Sequence, residues 1–290
     1  MQTVYTLENE FLAVKVQEQG AELISIVNKK TNLEYLWQAG EAWPKHAPVL
    51  FPIVGQLKEN AYLYKGQRYQ MDRHGFARNK LFKTDLHEPE KITMSISDDE
   101  KTRSIYPFHF GLSIHYEIAE NTLTVIYEVK NNGDDPMWFS IGGHPAFKIP
   151  LLRHEKYDDY FLSFEKRETV QQQLLTNGLF DGRQIEILRN DDSLPLSKKL
   201  FYDDALVLSG LKSELITIRS SRSGHGLHFL FKGFPYFGIW AARDADFICL
   251  EPWHGIADHV NHEQQLENKK GIRSLEPGKN FRCVYAMVPF

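Results

Sequence analysis

Leu112-Ser113-Ile114-His115-Tyr116-Glu117-Ile118-Ala119-Glu120-Asn121-Thr122-Leu123-Thr124-Val125-Ile126-Tyr127-Glu128-Val129-Lys130 carries apolar side chains at every second position on both sides of a polar tip. A period of two marks a strand with one buried face. Glu120-Asn121 between two such runs predicts a β-hairpin, closed by Asn131-Asn132-Gly133. The same grammar extends in both directions. Leu12, Val14 and Val16 alternate up to Gly20, and residues 23–27 and 33–37 flank the loop Asn28-Lys29-Lys30-Thr31-Asn32. Lys65-Gly66 turns 62–64 into 67–71, residues 215–220 lead through a Ser/Gly-rich turn into 227–232, and strands are expected at 247–250 and 282–288. Helical signals are few. Asp191-Asp192-Ser193, with Pro195 in the first turn, predicts a short helix over 194–200, and 169–175 is a second candidate. Consecutive hairpins without β-α-β alternation point to an all-β fold, a large antiparallel β-sandwich, in one domain over residues 1–290.

Composition narrows the function. Thirty-four Lys and Arg against 38 Asp and Glu give a net charge of −4, and no segment gathers the positive charge. A nucleic-acid or anionic-membrane partner needs a basic footprint, so neither is expected. No apolar run approaches the roughly 18 residues of a membrane span. Residues 1–11 carry Glu8 and Glu10 and lack the apolar stretch of a signal peptide. Cys249 and Cys283 each sit in a strand-like apolar run, as reduced core thiols of a cytoplasmic protein do.

Three segments break the strand-and-turn pattern. Asp72-Arg73-His74-Gly75-Phe76-Ala77-Arg78 sets an imidazole between two guanidiniums, beside a glycine that permits close backbone approach. Phe139-Ser140-Ile141-Gly142-Gly143-His144-Pro145-Ala146-Phe147 interrupts an aromatic strand and presents His144 at the break. Ile248-Cys249-Leu250-Glu251-Pro252-Trp253 ends an apolar strand on a carboxylate. Burying that group calls for a purpose or a cation, for which Arg243 and Arg273 are structural candidates. Trp253 beside it offers a surface of the kind sugars stack upon. The histidine pairs His225/His228 and His259/His262 lack a carboxylate at zinc spacing, so no metal site is expected. No phosphate-binding glycine loop and no G-x-S-x-G elbow occurs.

The order Pro48-Val49-Leu50-Phe51-Pro52-Ile53-Val54-Gly55, His74-Gly75-Phe76-Ala77-Arg78, Gly142-Gly143-His144-Pro145-Ala146-Phe147 and Glu251-Pro252-Trp253 resembles the aldose 1-epimerase (galactose mutarotase-like) family, most of all its LacX-type branch. The resemblance covers nearly the whole chain. It implies a distorted β-sandwich with a sugar cleft, a small-molecule sugar or sugar phosphate as partner, no cofactor, no metal in catalysis, and leaves a homodimer open. It puts the base on Glu251 and the general acid on His144. His74, Arg78, Asp204 (with Asp203 adjacent) and Trp253 become the substrate-binding residues. Relatives often show Gly-Arg-Leu where this chain has Gly55-Gln56-Leu57, so the family arginine's role falls to Arg78 or Lys58.

The expected reaction is exchange of the α and β anomers of an aldohexose such as galactose, or of its phosphate. Carboxylate and imidazole have ordinary pKa values of about 4.3 and 6.5, which suit a base and an acid near neutrality. A carboxylate near His144, Asp204 being the candidate, would favour imidazolium. The competing reading is a sugar-binding or sensing protein without catalysis on the same fold. A glycoside hydrolase would need a second placed acid or a metal, which the sequence does not show.

Overall fold

The computed structural model describes residues 3–290, and antiparallel strands dominate it. Val4–Glu8, Leu12–Gln17, Glu22–Asn28 and Leu33–Glu34 form a four-stranded sheet in simple sequential order. Leu12, Val14 and Val16 are all fully buried, so the period-two face points into the core as expected. The Tyr116 hydroxyl donates to the Ala21 carbonyl at 2.7 Å, and that of Tyr35 to the Phe290 carbonyl at 2.6 Å. Both bonds tie this sheet to the larger one.

That larger sheet has fifteen strands. The 112–130 hairpin appears as Phe110–Ala119 paired with Thr122–Asn131 in unbroken register, from Phe110 opposite Asn131 to Ala119 opposite Thr122. Asn280–Pro289 pairs with Thr122–Asn131 on its far side, and Gly226–Leu230 follows it. One buried cluster runs from Leu7 to Met287 through both sheets.

Two sequence expectations fail. Residues 169–175 lie inside the strand Tyr160–Thr176, and Leu194 and Pro195 end the strand Leu179–Pro195. Glu168 and Val170 are buried while Thr169 and Gln171 are exposed, a period of two that the Gln-rich composition hides. Pro195 occupies the last position of that strand, where its missing N–H costs little, and only a 3₁₀ turn, Lys198–Phe201, follows. The Tyr160–Thr176 and Leu179–Pro195 hairpin slips register four times, which bends it away from a regular ladder. Conversely, Glu100–Ile105 is an α-helix capped by Asp99, whose side chain accepts the Thr102 N–H at 2.6 Å. Among the described residues, no helix is long and apolar enough to cross a membrane.

Candidate active site

Phe247–His254 is buried at every position, and its neighbours explain the chemistry it carries. On one side it pairs with two short strands in a single register, Gly142 opposite Trp253 and Ala146 opposite Cys249. Carrying that register across the gap sets His144 directly opposite Glu251. Pro145 has no N–H to give, so the ladder opens here, and only the Leu250 N–H reaches the Pro145 carbonyl, at 3.2 Å. Residues opposite one another in an antiparallel pair share a face. Accordingly His144 Nε2 lies 3.2 Å from Glu251 Oε2, with 9% and 1% of the two side chains exposed. The strand break at His144-Pro145 and the carboxylate at Glu251 are two halves of one feature. Neither Arg243 nor Arg273 is the partner of Glu251: Arg243 lies beside Asp244, and Arg273 stacks on Phe281 and touches His254.

His74 arrives by a different route. The turn after Asp72 holds His74 and Gly75 at φ of +68° and +70°. A Cβ on Gly75 would meet the Phe51 carbonyl oxygen at 2.3 Å, so only glycine fits. Phe76 and Ala77 donate their N–H groups to that same oxygen at 3.0 and 3.1 Å. This docking joins the Phe51-Pro52 segment to the His74-Gly75-Phe76 segment. The Gly55 N–H donates to His74 Nδ1 at 3.2 Å, which assigns the ring proton to Nε2. The His74 and His144 ring centres stand 5.7 Å apart, edge to face.

A cavity of about 210 Å³ opens above this pair, lined by His74, His144, Glu251, Asp204, Arg73 and Arg78 together with Ala205 and three tryptophans. A wider groove of about 570 Å³ beside Trp37, Lys148 and Arg153 also carries Glu34 and Asp246 but no histidine. All six expected site residues line the smaller cavity, and Asp204 is half-buried there while Asp203 is exposed. Lys58 is elsewhere, its ammonium donating to the His262 carbonyl at 3.1 Å. Gln56 turns its amide to Leu57 and Asn60. The guanidinium that the sequence reading passed over is Arg73, whose Nη2 stands 3.8 Å from Asp204 Oδ1. Asp204 therefore faces Arg73, and the carboxylate against His144 is Glu251, which corrects the expectation that Asp204 attends the imidazole.

Trp253 lies flat across the two strands that flank its own. A Cβ on Gly142 would fall 2.5 Å from its ring, and one on Gly238 2.6 Å. It is 5% exposed, so most of the open aromatic surface belongs to Trp43 and Trp240, which the sequence reading did not pick out. Trp43 stacks on His144 with ring centres 5.0 Å apart and planes inclined by 26°. Trp240 meets the same imidazole edge-on at 5.7 Å.

Burial governs the electrostatics. It pushes the Glu251 carboxyl well above the usual carboxylate range, against the pull of Arg73. It holds the His144 imidazole down to about 3, and Arg73 and Arg78 add to the effect. His74 is driven well below its ordinary value by burial first, then by His144, Arg73 and Arg78. Burial thus favours a pair that holds a single proton with no net charge. Both Glu251 oxygens and His144 Nδ1 are buried without a well-formed hydrogen bond, which is the condition of groups that face a polar ligand. Glu251, His144 and Cys249 also bring three donor atoms within 4.8 Å, the one cluster among the described residues with the composition of a metal site.

Comparison with known proteins gives the family and the fold. The family model described as aldose 1-epimerase matches residues 3–287. The plasmid-encoded protein LacX of Lactococcus lactis subsp. lactis is 35% identical over 282 residues, 93% of this chain and 94% of that one. A galactose mutarotase related enzyme from Lactobacillus acidophilus superposes with a TM-score of 0.96 at 35% identity, over 99% of this chain and 97% of the other. A galactose mutarotase-like protein from Lactobacillus casei gives 0.94 at 29% identity, over 99% and 100%.

Proposed function

The chain belongs to the aldose 1-epimerase family, and from that premise we propose that it interconverts the α and β anomers of an aldohexose, free or phosphorylated. Glu251 and His144 move the protons in this reading. The observation that carries it is their 3.2 Å approach at the floor of a cavity lined by hydroxyl-binding groups.

With the single proton of the pair on His144, Glu251 takes the proton of the C1 hydroxyl while C1–O1 becomes a carbonyl. The C1–O5 bond breaks, its electron pair stays on O5, and His144 supplies the proton that O5 then carries. Rotation about C1–C2 turns the other carbonyl face to O5. Reclosure returns one proton to His144 and takes one from Glu251, which restores the starting state. The two reacting oxygens sit on one carbon, so adjacent acid and base atoms are what the chemistry needs. His74 Nε2, Asp204 and the guanidiniums hold the sugar hydroxyls, and Trp43, Trp240 and Trp253 supply apolar surface for the ring faces. The two unpaired buried cysteines suit the cytoplasmic setting of a sugar-processing enzyme.

The test is the decay of optical rotation of freshly dissolved α-anomers, sugar by sugar, with and without the protein. Acceleration of at least one sugar is expected; none across a broad aldose panel overturns the proposal.

The acid–base pair also fixes a pH dependence. The working pair holds one proton, and kcat/KM reports the free enzyme. On the acid side a second proton must enter His144, which burial holds down to about 3. On the alkaline side the shared proton leaves only above the ordinary carboxylate range. Activity is therefore expected not to fall as pH is lowered from 7 to 5. A loss centred near the ordinary imidazole value of about 6.5 would contradict the coupled pair.

Proton exchange between side chains needs no metal. Activity is expected to survive exhaustive dialysis against a chelator. Loss of activity, restored by one divalent ion, would move the donors His144, Cys249 and Glu251 into a metal-assisted mechanism.

A further inference from the structure

Cys249 is a buried nucleophilic side chain that the anomerisation chemistry does not use, and it lies where that chemistry happens. Alternate residues of a strand share a face, so Cys249 and Glu251 are successive side chains on the face of Phe247–His254 that meets His144. Ala146 stands opposite Cys249 on one neighbouring strand and Trp240 on the other. Thiol, carboxylate and imidazole thereby bring one donor atom each within 4.8 Å of one another. Zinc binds thiolate at about 2.3 Å and imidazole or carboxylate at about 2.0–2.2 Å, so its tetrahedral donors stand about 3.3–3.6 Å apart. The His144–Glu251 approach of 3.2 Å is already close to that spacing. The thiol, inside the 4.8 Å limit, is within about 1.2 Å of it. A second observation points the same way. Glu251 is 1% exposed, and both its oxygens are buried without a well-formed hydrogen bond, a condition that a bound cation relieves.

We propose that Cys249, Glu251 and His144 form a binding site for a thiophilic divalent cation, zinc above all, and that the occupied site is inactive. The first half stands on the donor geometry alone; the second rests on the epimerase reading. Binding displaces the thiol proton and the single proton of the Glu251–His144 pair, and both leave to solvent as the Zn–S, Zn–O and Zn–N bonds form. Thiolate and carboxylate cancel the charge of the ion, so the buried centre is neutral beside Arg73 and Arg78. The protein's donors leave the fourth position to water from the cavity. Glu251 and His144 then hold the metal with the lone pairs that catalysis needs, and neither can exchange a proton with the C1 hydroxyl or O5. Magnesium, a hard ion that prefers oxygen ligands in octahedral array, has no match in a thiol, an imidazole and a single carboxylate.

Polarimetry titrates zinc and magnesium into the wild-type protein, Cys249→Ser and Cys283→Ser, and calorimetry follows zinc binding to each. Cobalt(II) replaces zinc as a coloured probe, because a cobalt–thiolate bond adds a charge-transfer absorption that oxygen and nitrogen ligands do not give. Zinc is expected to stop turnover in proportion to the fraction of protein that has bound it. A chelator should then restore the full rate, and magnesium should leave the rate unchanged. Cys249→Ser should keep its basal rate while needing more than roughly a hundredfold more zinc for half-inhibition, since even changes outside the ligand shell cost roughly 10–100-fold in affinity. Cys283, in the strand Asn280–Pro289, is the control thiol, and Cys283→Ser should match wild type throughout. Unchanged zinc inhibition in Cys249→Ser, no cobalt–thiolate absorption in the wild type, or absorption lost with Cys283→Ser overturns the site. The cobalt spectra need only wild type and Cys283→Ser, so they decide even where Cys249→Ser does not fold. Zinc that binds through Cys249 yet spares or raises the rate overturns the inactive state. Zinc held through Cys249 by a protein that turns over no sugar upholds the site and overturns the epimerase reading instead.

Discussion

Glu251→Gln is expected to lower anomerisation by roughly 10²–10⁴-fold, the range of a lost general base, while sugar binding stays close to wild type. The amide keeps the shape of the side chain but cannot take the C1 proton. Burial favours the uncharged carboxyl, whose shape the amide matches, so binding should survive; what the variant loses is the ionised form that the pair reaches when its proton sits on His144. His144 loses its 3.2 Å acid partner yet keeps its stacking on Trp43. Polarimetric rates beside calorimetric sugar affinities make the measurement. A variant with near-wild-type rate would remove Glu251 from the mechanism.

The largest expected loss of stability is at Lys269. Its ammonium is 1% exposed and donates to Asp258 Oδ1 at 2.8 Å and to the Ile256 carbonyl at 2.5 Å. Asp258 Oδ2 accepts the Lys58 N–H at 2.9 Å, and the Asp258 N–H donates to the Gln56 carbonyl. That lattice fixes the segment whose Gly55 carbonyl accepts the His74 N–H at 3.0 Å. Lys269→Met leaves a carboxylate buried without its cation, a change worth about 3–5 kcal/mol and roughly 10 °C in Tm. Urea denaturation checks it, and the double variant Asp258→Asn/Lys269→Met should recover part of the loss, since the stranded charge causes most of it. A single variant as stable as wild type would show the pair to be dispensable.

The hairpin at 112–130 was legible because its signal is local: alternation, a two-residue tip and a glycine-closed end all lie within 22 residues of sequence. The strand through 169–175 was not, because Gln171-Gln172-Gln173 carries little preference and its pairing is set by partners from 179 onward. The short helix Glu100–Ile105 was overlooked although its cap is local; Asp99 followed three residues later by Thr102 is a readable signal. His144 and Glu251 each stood out as a departure from pattern. Their pairing depends on a register shared by strands a hundred residues apart, which no local pattern carries. Arg73 was visible beside His74, but its direction depends on a turn with two successive positive φ angles. Trp43 lies in an irregular stretch with no periodicity to mark it, and only the fold shows it on His144.

Exchange NMR at anomeric equilibrium tests the central claim most directly, because no net chemistry is needed for a signal. A sugar accelerated in the polarimetric panel is held at equilibrium, and magnetisation is followed between its α and β anomeric protons. Catalysed ring opening predicts α–β exchange cross-peaks that grow in proportion to protein concentration and vanish with Glu251→Gln. Sugar resonances that broaden or shift on binding without such cross-peaks would contradict it, leaving a carbohydrate-binding protein on an epimerase fold.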